Sequence, residues 1–181
     1  MPNYEEKTLS SKTLYEGKMI SLRVEEVELP DGNKANRELV KHPGAVAIIA
    51  LTANGKLVLV EQYRKALERT LVEIPAGKID FGEAPEVTAV RELEEETGYG
   101  AKDFTYIQSF ATSPGFADEI IHLYLAQELF EIEEPAEGDE DEFIGLLEVT
   151  IEEAIEMVAS GQIFDAKTAF AVLYVKNLLQ K

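Results

Sequence analysis

Residues 77–99, GKIDFGEAPEVTAVRELEEETGY, join a turn-rich loop to a short stretch that carries more carboxylates than folding needs. An α-helix turns by about 100° per residue, so Glu92 and Glu96 lie one turn apart on the same side of a helix. Glu95 flanks Glu92 on its other side. The pattern therefore predicts a loop followed by a helix with three carboxylates on one face.

The same stretch predicts where this helix begins and ends, and which side is buried. Pro85 suits the first helical turn, where a missing N–H costs nothing, and Gly98 suits the left-handed position that ends a helix. Glu94 fits neither face. The residues opposite the carboxylates are mostly apolar, and we expect them to form the buried face: Val87, Val90, Leu93 and Thr97.

The carboxylates on this helix oppose its folding unless something neutralises them. Like charges one turn apart cost about 0.2–0.5 kcal/mol per pair, and Arg91 is the one cation within the helix. Mg²⁺ would remove the conflict, since it binds one or two carboxylates together with waters and substrate phosphates. A solvated acidic surface is the alternative interpretation, and the preceding loop favours the metal.

The loop and the helix together match a long pattern of fixed residues. Its defined positions, at fixed gaps along the chain, are Gly77, Glu83, Arg91, Glu92, Leu93, Glu95, Glu96, Gly98 and Tyr99. This spacing is that of the Nudix box at every defined position, so the chain resembles the Nudix hydrolases. That family cleaves a nucleoside diphosphate linked to another moiety, using Mg²⁺ or Mn²⁺ held on a loop, helix and loop.

A second stretch resembles one branch of that family. Pro114, in the predicted rigid turn SPGF, follows the box about where ADP-ribose pyrophosphatases have a diagnostic proline, although SPGF could equally be only a turn. The runs SPGFADEIIHLYLA and VEQYRKALERTLVEIPAG are similar to that branch too. The resemblance implies hydrolysis of ADP-ribose to AMP and ribose 5-phosphate. Another nucleoside diphosphate sugar or a dinucleoside polyphosphate is the alternative substrate.

The resemblance also implies roles for particular residues. The metal ligands that it implies are Glu92, Glu96 and the backbone carbonyl of Ala76, with an added contact from Glu142. Glu95 and Glu83 are expected to assist the ligands or to position water. Arg91 is expected to orient the glutamates through its contact with Glu95, one helical turn away, and not to touch substrate.

Residues 131–142, EIEEPAEGDEDE, contain too little apolar surface to pack and predict a mobile acidic loop. The water that attacks phosphorus must lose a proton, so a nearby carboxylate is useful as a general base. ADP-ribose pyrophosphatases use a glutamate from this loop, and we match it to Glu140. The neighbouring Asp139 and Asp141 leave this register open by a residue or two, and a merely solubilising loop is the alternative.

Four residues are predicted to bind substrate: Arg37, Arg64, Pro114 and Gly115. Arg64 ends a predicted strand, where its guanidinium could grip a phosphate with two parallel N–H donors, and a surface salt bridge is equally plausible. Arg37 lies in the strand NRELVKH, where a solvated edge residue is the alternative. Pro114 and Gly115 are assigned through the resemblance of their turn.

The remaining pattern predicts an α/β fold, which the resemblance makes a Nudix-type α/β/α sandwich with a mixed sheet, preceded by a small N-terminal antiparallel sheet. Residues 1–42 form the predicted N-terminal sheet, with a turn at PDGN, and residues 43–181 the Nudix domain. Strands are predicted at 44–51 and 57–64, joined at Asn54-Gly55. The packing face predicted for the last helix, which Asp165 caps, is Ala169, Phe170, Val172, Leu173 and Leu178.

Composition restricts the partners. A formal net charge of −18 argues against nucleic acid, because the phosphate backbone would be repelled. The chain has no cysteine and no apolar run of membrane-spanning length, so we expect a cytoplasmic protein without a membrane partner.

The resemblance further implies a homodimer in which the N-terminal sheet packs on the partner, since its few strands are too small a sheet to be stable alone. A non-catalytic nucleotide sensor is the less favoured alternative function. Such modules often lose box glutamates or carry a DNA-binding domain, and this chain has an intact box and no basic segment.

Overall fold

The computed structural model describes residues 3–136, 138 and 143–179. The chain divides into two compact units. They are Met1–Gly44 with Phe110–Ile121, and Ala45–Ser109 with His122–Lys181. The first unit thus contains the predicted N-terminal sheet and also the turn that includes Pro114.

The first unit is built on an antiparallel three-stranded sheet in the order β1-β2-β3. Its strands are β1 (Lys7–Glu16), β2 (Ser21–Glu28) and β3 (Lys34–Lys41). The predicted turn joins β2 to β3, because Leu29 N–H donates to the carbonyl of Asn33 at 2.7 Å and Gly32 has a φ of 84°. A positive φ favours glycine at this position.

The second segment of the first unit is held to the end of β3. Val40 N–H donates to the carbonyl of Phe116 at 2.7 Å, and the Asp118 carboxylate accepts from Lys41 Nζ at 2.6 Å and from His42 N–H at 2.9 Å. Burial alone would raise the pKa of Asp118, but these two donors lower it below its ordinary value. The segment is therefore anchored by charge as well as by backbone hydrogen bonds.

Among the described residues, the second unit carries a large sheet and the helices of the chain. Its elements are β4 (Ala45–Leu51), β5 (Leu57–Arg64), β6 (Arg69–Glu73), β7 (Ala76–Lys78), α1 (Pro85–Thr97), β8 (Tyr99–Ala111), β9 (Ile120–Glu131), β10 (Ile144–Val149), α2 (Ile151–Ser160) and α3 (Ala166–Leu179). The sheet order is β10-β5-β4-β9-β8, with β6 pairing β5 and β7 pairing β4. The predicted α/β class, with a separate small antiparallel sheet, is confirmed.

The core of the second unit lies between β4 and α1. All seven residues of β4 are buried, as expected for a central strand covered on both faces. Val46, Ile48 and Ala50 pack in one cluster with Ala89 and Leu93 of α1. This packing fixes α1 against the sheet and so fixes the residues that the helix carries.

The buried face of α1 differs from the predicted one. Val87 and Val90 are exposed, whereas Ala89, Leu93, Glu92 and Glu96 are buried. The prediction is correct at Leu93, but the buried face is rotated so that it also includes Glu92 and Glu96, because the helical pattern does not show which side meets the sheet. Glu92 and Glu96 occupy the buried side because Arg91 Nη1 meets the carboxylate of Glu92 and the N–H of Ala76 meets that of Glu96.

The C-terminal helices begin at capping side chains, and Asp165 caps the last helix as predicted. Thr150 and Glu153 form a reciprocal capping box at α2, and Asp165 Oδ2 accepts from Thr168 N–H at 3.0 Å at the start of α3. The predicted packing face of α3 is wrong at Leu173, which is exposed. The buried side of α3 instead includes Thr168, whose Oγ1 accepts from Ile74 N–H at 3.0 Å. The buried residues of this helix are Thr168, Ala171, Val172 and Val175.

No helix in the described part of the chain has the length and hydropathy to cross a membrane.

Candidate active site

The site is assembled where β7 meets α1. Ala76 N–H donates to Glu96 Oε2 at 2.8 Å, across twenty residues of sequence. A Cβ added to Gly77 would meet Glu92 Cδ at 2.0 Å, so the carboxylate of Glu92 lies directly against the glycine backbone. Glu92 and Glu96 are only 7% and 8% exposed. A side chain at the first glycine of the box would therefore have to displace the carboxylate of Glu92.

Arg91 joins the remaining box carboxylates. Its Nη1 lies 2.7 Å from Glu95 Oε2 and 2.9 Å from Glu92 Oε1, and its Nη2 donates to Glu83 Oε2 at 3.1 Å. Thr88 Oγ1 donates to the same Glu83 oxygen at 2.8 Å. The contact between Arg91 and Glu95 is the one that their spacing predicts.

These contacts shift the pKa values of both partners. Burial alone would lower the pKa of Arg91, but the hydrogen bond with Glu83 and the charges of Glu92 and Glu95 raise it overall. The hydrogen bonds that Arg91 and Thr88 donate lower the pKa of Glu83. Arg91 is therefore a permanent cation that holds three carboxylates in place.

The side chains present fit a hard divalent cation. Their donors are carboxylate oxygens, which Mg²⁺ prefers, and the cation would relieve the repulsion among charges that one arginine does not balance. Within residues 3–136, 138 and 143–179, no three acidic or histidine side chains already converge at metal-binding distances. A cation that keeps several waters and shares substrate phosphates needs only one or two carboxylates from the protein. The donor set is therefore suitable without a closed cage.

Arg64 lies at the end of β5, in the same unit. Its Nε and Nη2 reach Glu73 Oε2 at 2.7 and 2.6 Å. The salt bridge considered from the sequence is therefore present. It does not exclude a phosphate contact, because the side chain of Arg64 remains 37% exposed.

The other predicted substrate residues belong to the first unit. Arg37 Nε donates to Glu6 Oε2 at 2.8 Å, and this carboxylate raises the pKa of Arg37. Pro114 and Gly115 lie in a turn closed by Ala117 N–H, which donates to the carbonyl of Ser113 at 2.9 Å. The structure thus brings together Ala76, Arg91, Glu92, Glu95 and Glu96, while the roles of Arg37, Pro114 and Gly115 stay predictions.

Two predicted residues, Glu140 and Glu142, lie outside the described residues.

The sequence analysis did not identify Glu73 and Lys167, two residues that support Arg64. Lys167 Nζ donates to Glu73 Oε1 at 2.9 Å, although the two are far apart in sequence. No spacing rule links residues at such separation, and the only available signal was an acidic residue in the otherwise apolar run LVEIPA, residues 71–76.

A loop and a helix that present carboxylates around a fixed arginine are typical of a metal-assisted hydrolase site. Comparison with known proteins makes this specific. Residues 41–170 match the model of the NUDIX domain, and residues 6–40 match the nucleoside diphosphate sugar hydrolase N-terminal domain. The chain therefore belongs to the Nudix hydrolase family, as its box indicated.

The chain is also similar to individual proteins and to a solved structure. An ADP-ribose pyrophosphatase of Bacillus subtilis (strain 168) is 57% identical over 97% of this chain and 95% of its own. A methanol dehydrogenase activator of Bacillus methanolicus is 54% identical over 96% of this chain and 94% of its own. A solved structure described as an ADP compounds hydrolase has a TM-score of 0.85 at 23% identity, covers 97% of this chain and 95% of its own, and shares the fold.

Proposed function

We propose that this enzyme hydrolyses the diphosphate of ADP-ribose, with Mg²⁺, to AMP and ribose 5-phosphate. The observation that carries the proposal is the seating of Glu92 and Glu96 against Gly77 and Ala76, because it fixes the two box carboxylates that would share one cation. The 57% identity to a protein named ADP-ribose pyrophosphatase supports the choice of substrate. The match of residues 6–40 supports the broader class of nucleoside diphosphate sugars, to which ADP-ribose belongs.

Glu92, Glu96 and the carbonyl of Ala76 would hold the cation, and Mn²⁺ is a possible substitute. When bound, the cation supplies positive charge that neutralises the diphosphate and makes the attacking water more acidic. Arg91 holds Glu95 and Glu83 in place beside the proposed ligands. Arg64 binds a phosphate oxygen through the part of its guanidinium that Glu73 leaves open, and Arg37, Pro114 and Gly115 contact the rest of the substrate.

A substrate panel tests this proposal. We expect ADP-ribose to be cleaved with a higher kcat/KM than GDP-mannose, UDP-glucose or diadenosine polyphosphates, each in Mg²⁺. Cleavage should stop in EDTA and return when Mg²⁺ is added in excess. Faster cleavage of another member of the panel would favour the alternative, a diphosphatase for a different nucleoside diphosphate sugar or dinucleoside polyphosphate.

Proton removal from the attacking water is the second part of the proposal. We keep Glu140 as the general base and Glu142 as an added metal contact, because the box glutamates are occupied by Arg91 and by the cation. The pH dependence of turnover should lose its acidic limb in Glu140→Gln and keep it in Glu142→Gln. The reverse result would exchange the two roles, and unchanged profiles in both variants would return the role to the box.

The third part of the proposal is a homodimer in the cytoplasm, with the N-terminal sheet against a second copy of the chain. All ten residues of β1 are exposed, and they include the large side chains of Leu14 and Tyr15. Exposed apolar side chains on an edge strand support an interface there. Leu14→Glu should lower the mass measured by light scattering by half, and a dimer that persists with Leu14→Glu and Tyr15→Glu together would contradict the interface.

A further inference from the structure

A cluster of charged side chains around the buried Glu73 links Arg64 to the first turn of α3. It consists of Arg64, Glu73, Asp165 and Lys167. The side chain of Glu73 is only 4% exposed, and each of its oxygens meets a different cation. Oε2 accepts from Arg64 Nε at 2.7 Å, whereas Oε1 accepts from Lys167 Nζ at 2.9 Å. Lys167 Nζ also lies 3.1 Å from Asp165 Oδ2.

We propose that Glu73, held by Lys167, is a positioning residue that aims the guanidinium of Arg64 at the substrate diphosphate. This inference rests on the proposed function, in which Arg64 binds a phosphate oxygen. The proposal gives Glu73 and Lys167, which lie outside the Nudix box, a role in substrate binding.

The first argument is the way in which the carboxylate is shared. A buried carboxylate is costly unless both of its oxygens are satisfied. Because Lys167 occupies Oε1, Glu73 cannot turn to bind the arginine with both oxygens. In the described contacts Arg64 uses Nε and Nη2 on the single oxygen Oε2. Its Nη1 therefore remains for a phosphate oxygen, in a side chain that is partly exposed.

The second argument is the connection between this cluster and the metal-binding glutamates. Glu73 is followed by Ile74, whose N–H donates to Thr168 Oγ1 at 3.0 Å, next to Lys167 in α3. Pro75 accepts from Ile48 N–H at 2.8 Å, and Ala76 donates to Glu96. Four consecutive residues, spanning about 10 Å at ~3.3 Å per residue, thus hold the phosphate-binding arginine at one end and a metal-binding glutamate at the other.

This arrangement makes the first turn of α3 part of the site's support. Lys167 and Thr168 bind the start of the segment 73–76, while β4 and α1 bind its end. A shift of that turn would change the direction of Arg64 relative to Glu96. The consequence is that the loss of Glu73 or Lys167 should be felt through Arg64, and specifically in substrate binding.

A double-mutant cycle tests the inference, with kcat and KM for ADP-ribose measured at saturating Mg²⁺. Glu73→Gln should raise KM about tenfold with a smaller change in kcat, because it loosens a charge-assisted grip on phosphate. In an Arg64→Gln background the same change should raise KM by less than about twofold, since the residue it positions is already gone. Lys65→Gln, which removes the exposed pair of Lys65 and Glu68 from the same hairpin, is the matched control and should leave KM unchanged.

The cycle also separates the possible failures. If the rises in KM multiply in the double variant, Glu73 acts independently of Arg64 and the inference is overturned while the proposed function stands. If the wild-type enzyme leaves ADP-ribose intact, the proposed function and the inference both fall. Should Glu73→Gln not fold, Lys167→Met takes its place in the cycle. Its effect must then also vanish without Arg64, and Lys167→Arg must restore the KM of the wild-type enzyme.

Discussion

The carboxylate of Glu92 rests on the backbone of Gly77, so closely that a Cβ at Gly77 would lie 2.0 Å from Glu92 Cδ. The two residues belong to β7 and α1, which the loop of the Nudix box connects. The contact means that the box has a steric requirement in addition to its proposed metal ligands. A side chain at Gly77 would have to displace the carboxylate of Glu92 or the strand.

Gly77→Ala tests this relationship. The added methyl group must displace Glu92 or β7, which should cost about 1–3 kcal/mol of the free energy of unfolding. We also expect kcat to fall by about a hundredfold, because the displaced group is a proposed metal ligand. Gly145→Ala is the control, since its Cβ would meet Glu61 only at 3.5 Å, an ordinary contact. Wild-type turnover in Gly77→Ala would show that Glu92 need not stay where it lies.

Glu96→Gln separates metal binding from folding at the neighbouring carboxylate. The amide oxygen of glutamine can still accept the N–H of Ala76, so the midpoint of thermal unfolding should stay within about 2 °C of wild type. Turnover should fall by about two orders of magnitude or more, because a charged ligand is lost. Glu86→Gln, in the exposed first turn of the same helix, should change neither quantity. Near-normal turnover of Glu96→Gln at saturating Mg²⁺ would count against this ligand assignment.

Glu83 predicts a pH dependence of stability in the metal-free protein. Its pKa in the folded state is lowered by the hydrogen bonds from Arg91 and Thr88, below an ordinary value of 4.5. A lowered pKa stabilises the fold at every pH above that ordinary value, and the contribution disappears as the pH falls through the folded-state pKa. Glu83→Gln should therefore unfold at a lower temperature than wild type near neutral pH.

The difference between the two proteins should close in acid. Thermal unfolding of both, recorded in EDTA across the acidic range, checks this expectation. Glu86→Gln again serves as the control, because the carboxylate of Glu86 makes no described contact with Arg91. A difference that stays constant from neutral to strongly acidic pH would mean that the ionised form of Glu83 is not what stabilises this loop.

Sequence and structure agree best where the relevant contacts are local. Pro85 and Gly98 mark the ends of α1, and Arg91 meets Glu95 one turn away, because helix geometry relates such residues directly. The buried face of α1 was predicted correctly at Leu93 but wrongly at Val87 and Val90, because the sequence of a helix does not show which side packs on the sheet. Glu92 and Glu96 can face inward because Gly77 of β7 leaves space for one carboxylate and the N–H of Ala76 donates to the other. These are tertiary contacts between residues of different elements.

The cluster around Glu73 shows the same limit more strongly. Its partner Lys167 belongs to the last helix, and only the packing of α3 on the end of β6 brings the two together. The prediction that Leu173 belongs to the packing face was wrong for a related reason. The rotation of α3 is set by the hydrogen bond between Ile74 and Thr168, which the helix's own sequence does not reveal. Side chains that support a site from distant elements have no local pattern from which they could be predicted.

Hydrolysis of ADP-ribose in ¹⁸O-water, with the products analysed by mass, tests the central claim most directly. With Mg²⁺ present, we predict equal amounts of AMP and ribose 5-phosphate, one of them carrying a single ¹⁸O atom, because water attacks one phosphorus of the diphosphate. Glu96→Gln run in parallel should give almost no product. Intact ADP-ribose after incubation with the wild-type enzyme, or cleavage at any bond other than the diphosphate, would contradict the account.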